Sequence, residues 1–225
     1  MSFIITIATN EGVVMASDSR MTCGNFTNDT TYKTFMCNSR AGISACGHSS
    51  FPNGSLAYHI ENMIATRITE HDSVDDITKT VQRYFQNLDP KAETTFLISG
   101  YNTDNSFCQV RRYINFSNTL DEVLGYPGAV WSGEKDIMEK LLTHVYSKGT
   151  NPQGQTIYSP VLKYKIHFEY FTLQDAIDFA KYAVDVTIKS IAFEDRPNSV
   201  GGPIDILAIK PNAPAFWVAH KEIHA

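Results

Sequence analysis

Charge is scarce and unclustered in this 225-residue chain: charged residues make up 19% of it, and 19 Lys and Arg face 24 Asp and Glu for a net charge of −5. There is no basic run, which argues against nucleic acid as a partner. Nor is there an apolar stretch near the ~20 residues of a membrane helix, so no membrane partner is expected. Cysteine is limited to Cys23, Cys37, Cys46 and Cys108 without paired spacing, which excludes a disulfide framework and a zinc site and reads as reduced, cytoplasmic thiols. The opening MSFIITIATNEG lacks a basic start and a small-residue cleavage site, so it is not read as a secretory signal. Glycine and proline together number 22, too few for a low-complexity or collagen-like chain. With 43% hydrophobic residues, residues 1–225 read as one globular domain.

What is there alternates between two periodicities. FIITIAT (3–9) and VVMAS (13–17) are β-rich and flank the turn Asn10-Glu11-Gly12. Short strands fit 34–38 and 42–46, and later 94–100, 107–114, 203–209 and 215–220. Helical spacing places Ala57, Ile60, Ile64 and Ile68 on one face, then Val74, Ile77, Val81, Phe85 and Leu88 on another. Ser73 with Asp76 resembles a capping box, and a fourth helix starts at Thr172 with Asp175 three residues on. A third helix is expected around Ile137, Leu141, Leu142 and Val145, and a loop from Gly149 to about Lys165. The pattern permits two packed sheets with helices outside, without demanding it.

Ser2 is the first candidate for chemistry. Removal of Met1, favoured before a small residue, would leave a hydroxyl beside a free α-amine. With a reference pKa of about 8 the amine is partly neutral at physiological pH and can accept the hydroxyl proton. Very many proteins begin Met-Ser, so this feature alone carries little weight.

The segment GVVMASDSRMTCGN (12–25) resembles the β-subunits of the proteasome and their bacterial relatives. Gly12, Val13, Val14, Ala16, Asp18, Arg20, Thr22 and Gly24 stand where that family has its characteristic residues. In the family the catalytic residue, usually Thr, lies sixteen positions before the Asp; the same count from Asp18 reaches Ser2. The resemblance implies an α+β fold, a four-layer αββα sandwich of the N-terminal-nucleophile hydrolase type. It also implies a catalytic Lys, for which Lys33 is the candidate and Thr34 the ungapped alternative, and an oxyanion Gly, for which Gly47 in GISACGH (42–48) is the candidate. A buried ammonium at Lys33 would lower the pKa values of the hydroxyl and the amine, with Asp18 compensating it. The backbone N–H of Gly47 would meet the developing oxyanion.

SVGGPIDILAI (199–209) and WSGEKD (131–136) resemble two further family turns, with Ser132, Gly133 and Gly201 matching. Here Val200 and Pro197 occupy the places of a supporting Ser and Asp, and Glu134 that of a second Ser; Ser199 and Asp195 lie one and two residues away as substitutes. Arg20 belongs to the same supporting set. Cys46 with His48 is a competing nucleophile–base pair, for which the sequence nominates no third member. His220 and His224 have metal-like spacing, but a frayed tail explains it better.

The resemblance is nearest to the simpler bacterial HslV-like and Anbu-like relatives, which need only Met removal. It implies hydrolysis of a peptide or other amide bond without metal or organic cofactor. It also implies a homo-oligomer, ring or open spiral, with Ser2 facing the interior. The helices at 51–70, 73–88 and 133–147 are the expected contact surfaces, offering Met63, Tyr84 and Met138. An ATPase partner is left open. Two alternatives stand: a catalytically silent assembly or binding protein, and an amidase for a small molecule.

Overall fold

A computed structural model describes residues 2–24, 26–102, 108–124, 127–143 and 145–222. The fold is mixed α/β, with four α-helices among the described residues and strands in several antiparallel sheets.

The N-terminal hairpin pairs β1 (Phe3–Ala8) with β2 (Val13–Ser17) around the expected turn, closed by Thr9 N–H to the Gly12 carbonyl at 2.9 Å. Further along the chain come β3 (Met21–Cys23), β4 (Phe26–Asn28), β5 (Thr34–Asn38), β6 (Ala41–Gly47), β7 (Ser50–Phe51) and β8 (Gly54–Ser55). Helices α1 (Leu56–Arg67) and α2 (Val74–Leu88) follow, then β9 (Thr94–Tyr101), β10 (Cys108–Ile114), β11 (Thr119–Leu124) and β12 (Gly128–Gly133). The chain ends with α3 (Asp136–Leu142), β13 (Tyr146–Thr150), β14 (Thr156–Pro160), α4 (Leu173–Ala192), β15 (Asp205–Lys210) and β16 (Ala213–Ala219). One sheet has the order β12-β1-β2-β15-β16 and the other β11-β10-β9-β6-β5.

Every residue of β1 and β2 is buried, because both faces are covered. Phe3, Ile5, Ile7, Val14 and Ala16 pack with Ala176, Ala180 and Val184 of α4. Their neighbours turn the other way: Ile4 meets Cys46 and Leu97, and Val13 and Met15 meet Tyr101 and Leu207. On the far side of β9, Phe96 and Ile98 pack with Ile60 and Met63 of α1 and Ile77, Val81 and Phe85 of α2. An unbroken apolar strand is what two covered faces require.

Both expected caps form. Ser73 and Asp76, and Thr172 and Asp175, each make a reciprocal capping box.

Several expectations are corrected. Residues 51–55 form the β7–β8 hairpin ahead of α1, whose N-cap is Ser55, rather than its first turn. The third helix is shorter than 133–147, because Ser132 and Gly133 still belong to β12 and the chain is extended again from Tyr146. Residues 146–160 are a hairpin rather than loop. Met63 and Met138 are fully buried in their own cores, so they offer nothing to another subunit. His220 is no frayed end: its ring stacks on Trp217 at 3.9 Å and on Tyr32 at 4.9 Å. His224 lies outside the described residues, as does Phe107 of the strand expected at 107–114.

Candidate active site

Ser2 precedes the first rung of β1 and is almost wholly buried. Its carbonyl oxygen accepts the Glu134 N–H at 2.8 Å, which ties it to the end of β12. Two cavities meet at Ser2: a small one lined also by Met21, Thr31, Lys33, Cys46 and Gly47, and a larger one lined also by Gly47, His48, Glu93, Arg112, Ser132 and Gly133.

Asp18 follows β2 and has no solvent exposure. Its Oδ1 accepts from Lys33 Nζ at 2.7 Å and Phe3 N–H at 2.9 Å, and its Oδ2 from Gly201 N–H at 3.0 Å and Arg20 N–H at 3.1 Å. One carboxylate thus joins the N-terminal strand, the turn after β2, the residue before β5 and the Gly pair before β15. Lys33 Nζ also donates to the Arg20 carbonyl at 2.5 Å. Burial holds the Lys33 ammonium below its ordinary range, and Asp18 opposes that fall. A buried pair of this kind stands only when both partners are present and hydrogen-bonded.

Gly47 ends β6 with φ +116°, and a Cβ there would sit 2.1 Å from the Glu93 carbonyl oxygen. Only glycine fits. On the β5 side, the last rung of the ladder is the Ala45 N–H to the Lys33 carbonyl at 2.8 Å. The Gly47 N–H points to that same side, one rung beyond it, where no backbone acceptor meets it among the described residues. A free N–H at the rim of a cavity that also holds a serine is a competent oxyanion donor.

The supporting residues divide. Arg20 grips Asp29 with two 2.7 Å bonds and reaches the Asn198 carbonyl at 3.4 Å, bracing the turn that carries Asp18. Ser132 lines the larger cavity and stands opposite Ile4 in the β1–β12 ladder. Gly133 adopts φ +93° directly against the Ser2 carbonyl. Ser199 Oγ donates at 2.7 Å to Oε1 of Glu134, the residue whose N–H holds the Ser2 carbonyl. Asp195 lies in the turn after α4, exposed and without a hydrogen bond or ion pair among the described residues. Burial pushes the Cys46 thiol up to about 11, which disfavours the thiolate that a rival nucleophile would need.

Sequence spacing misses two features here. Glu134, a departure from the family pattern, is an anchor of the site, bonded to Ser199 and reached by Arg196 at 3.4 Å. Behind Lys33 stands a second buried ion pair, Asp205 with Lys221. Asp205 lies opposite Ser17 in the sheet, and the Lys221 carbonyl accepts from Tyr32 Oη at 3.1 Å, so this pair touches the neighbours of both Asp18 and Lys33. The only hint is the type of the residues, because the contacts span 16 and 189 positions.

Among the described residues no cluster of His, Cys, Asp and Glu could hold a metal ion, and no helix is long and apolar enough to cross a membrane. No family model matches the chain, and no match to it was found among curated proteins.

Proposed function

We propose that this chain is a hydrolase of peptide or other amide bonds, with the N-terminal-nucleophile mechanism and four-layer αββα sandwich of proteasome β-type proteins, and with Ser2 as nucleophile once Met1 is removed. The observation that carries this is the fourfold grip of Asp18, which holds the Lys33 ammonium beside a cavity lined by Ser2 and Gly47.

The free amine of Ser2 takes the hydroxyl proton as Oγ bonds to the substrate carbonyl carbon. The Gly47 N–H receives the oxyanion, and the Lys33 ammonium lowers the cost of the charge that develops at the nucleophile. Collapse breaks the C–N bond, and the leaving nitrogen takes the proton back from the Ser2 ammonium. Water, deprotonated by the same amine, then cleaves the ester and restores Ser2. While Met1 remains, that amine is a peptide nitrogen and no base exists. The same resemblance implies a cytoplasmic homo-oligomer with its sites facing inward.

One observation favours a second reading, a silent assembly protein. Val200 is fully buried where the family carries a supporting Ser. Intact mass and Ser2 labelling separate the two. A mass lacking Met, with Ser2 modified by a carbonyl-directed electrophile and Ser2→Ala unreactive but equally stable, supports the hydrolase. Full retention of Met1, or a Ser2→Ala variant that cleaves amides at the wild-type rate, overturns it.

A further inference from the structure

Residues 145–166 contain Lys148, Lys163 and Lys165 and no Asp or Glu, while the rest of the chain carries 16 Lys and Arg against 24 Asp and Glu, net −8. This basic stretch coincides with a structural anomaly. Among the described residues the hairpin β13–β14 pairs only with itself, and all ten of its residues are exposed. A lone two-stranded hairpin is at best marginally stable in water.

The hairpin is nonetheless built to hold its shape. Asn151 Oδ1 accepts the N–H groups of Gln153 at 3.1 Å and Gln155 at 2.8 Å, closing the tip, and the Val161 N–H meets the Val145 carbonyl at 2.8 Å at the base. The register puts Tyr146, Lys148 and Tyr158 on one face, with Lys148 directly opposite Tyr158. The chain leaving it exposes Leu162 by 80% and Tyr164 by 83%. None of these side chains joins a core cluster. Exposed tyrosines and aliphatics rimmed by cations, on a shaped scaffold, form a contact surface rather than a loop.

We infer that residues 145–166 form an arm that docks on a second copy of this chain. The occupant follows from charge. Lys165 turns back to Glu169 at 3.5 Å and Lys163 to the Thr143 carbonyl at 2.9 Å, but Lys148 at the hairpin has no partner among the described residues. The arm carries no carboxylate while the rest of another copy is net −8, so arm and body attract where two bodies or two arms repel. This deepens the self-association proposed above and moves its contact from the helix faces to the arm, because Met63 and Met138 are spent on the interior. It does not depend on the hydrolytic mechanism.

The test is light scattering of the full chain at micromolar concentration, beside the variants Lys148→Glu/Lys163→Glu and Tyr158→Ser/Leu162→Ser, with circular dichroism to confirm the fold. The expected result is an assembly for the wild type, at least a tenfold weaker association for both variants, and loss of assembly as salt rises toward about 0.5 M. If both variants assemble like the wild type, self-association uses another surface and the arm inference falls alone. A wild-type monomer of 25.2 kDa removes the arm inference and the proposed oligomer together. A monomer that co-sediments with phosphatidylserine vesicles or with DNA assigns the arm to that partner instead. If a variant unfolds, replacing 147–159 by a short Gly-Ser turn gives the same readout, and an unchanged assembly then overturns the inference.

Discussion

The Glu134 N–H donates to the Ser2 carbonyl at 2.8 Å, and the Gly133 Cα before it lies so close that an added Cβ would stand 1.9 Å from the same oxygen. The residue that carries the proposed nucleophile is therefore fixed from behind by main chain alone. Gly133→Ala should displace Ser2 while leaving the buried strands in place. The expected outcome is a loss of Ser2 labelling of about 10²-fold, as a misplacement near 1 Å produces. The accompanying loss of stability in urea should be about 1–3 kcal/mol.

Lys33→Met strips Asp18 of its cation and leaves a charge with no solvent exposure held only by N–H donors. Breaking a buried pair from one side costs about 3–5 kcal/mol. Urea unfolding should read that loss, and labelling of Ser2 should fall with it. The double variant Lys33→Met/Asp18→Leu should recover part of the stability and none of the labelling.

The depressed pKa of Lys33 has a definite sign in stability. Between its lowered native value and the ordinary 10.5, the unfolded chain binds a proton that the native chain does not. Stability from this group is therefore full above 10.5 and lost as pH falls through the native value. Unfolding free energies from about pH 8 to pH 10 should rise more steeply, or fall less, for the wild type than for Lys33→Met.

Thiol chemistry separates the cysteines. Burial raises Cys37, and pushes Cys46 and Cys108 up to about 11, whereas Cys23 is exposed. Iodoacetamide at neutral pH should modify Cys23 alone in the native protein and all four in urea, followed by mass spectrometry. Rapid native alkylation of Cys46 would revive the Cys46–His48 pair.

Asp18, Lys33 and Gly47 were named by the resemblance of 12–25 and 42–48 to a known family rather than by periodicity, and each stands at a strand end: β2 ends at Ser17, β5 begins at Thr34 and β6 ends at Gly47. Ser199 was legible as a candidate, but its partner Glu134 is 65 positions away and is brought there by the pairing of β12 with β1. Asp205–Lys221 was invisible for the same reason. The missed strands are those without an apolar alternation to announce them. β11 (TLDEVL) is mostly polar at an edge, and β13–β14 has no buried face at all. Helix ends were overrun where extended chain continues an apolar run, as at Val145 and Tyr146.

The four donors to Asp18 come from residues 3, 20, 33 and 201. During synthesis, residues 2 to 47 leave the ribosome long before Gly201, and until then Asp18 Oδ2 lacks one of its two donors and β2 lacks β15 at its side. The proposed nucleophile, general base and oxyanion donor are thus all made early, yet the arrangement that joins them closes only near the end of translation. On the proposed function, a nascent chain is therefore expected to lack the assembled site until Gly201 and β15 have been made.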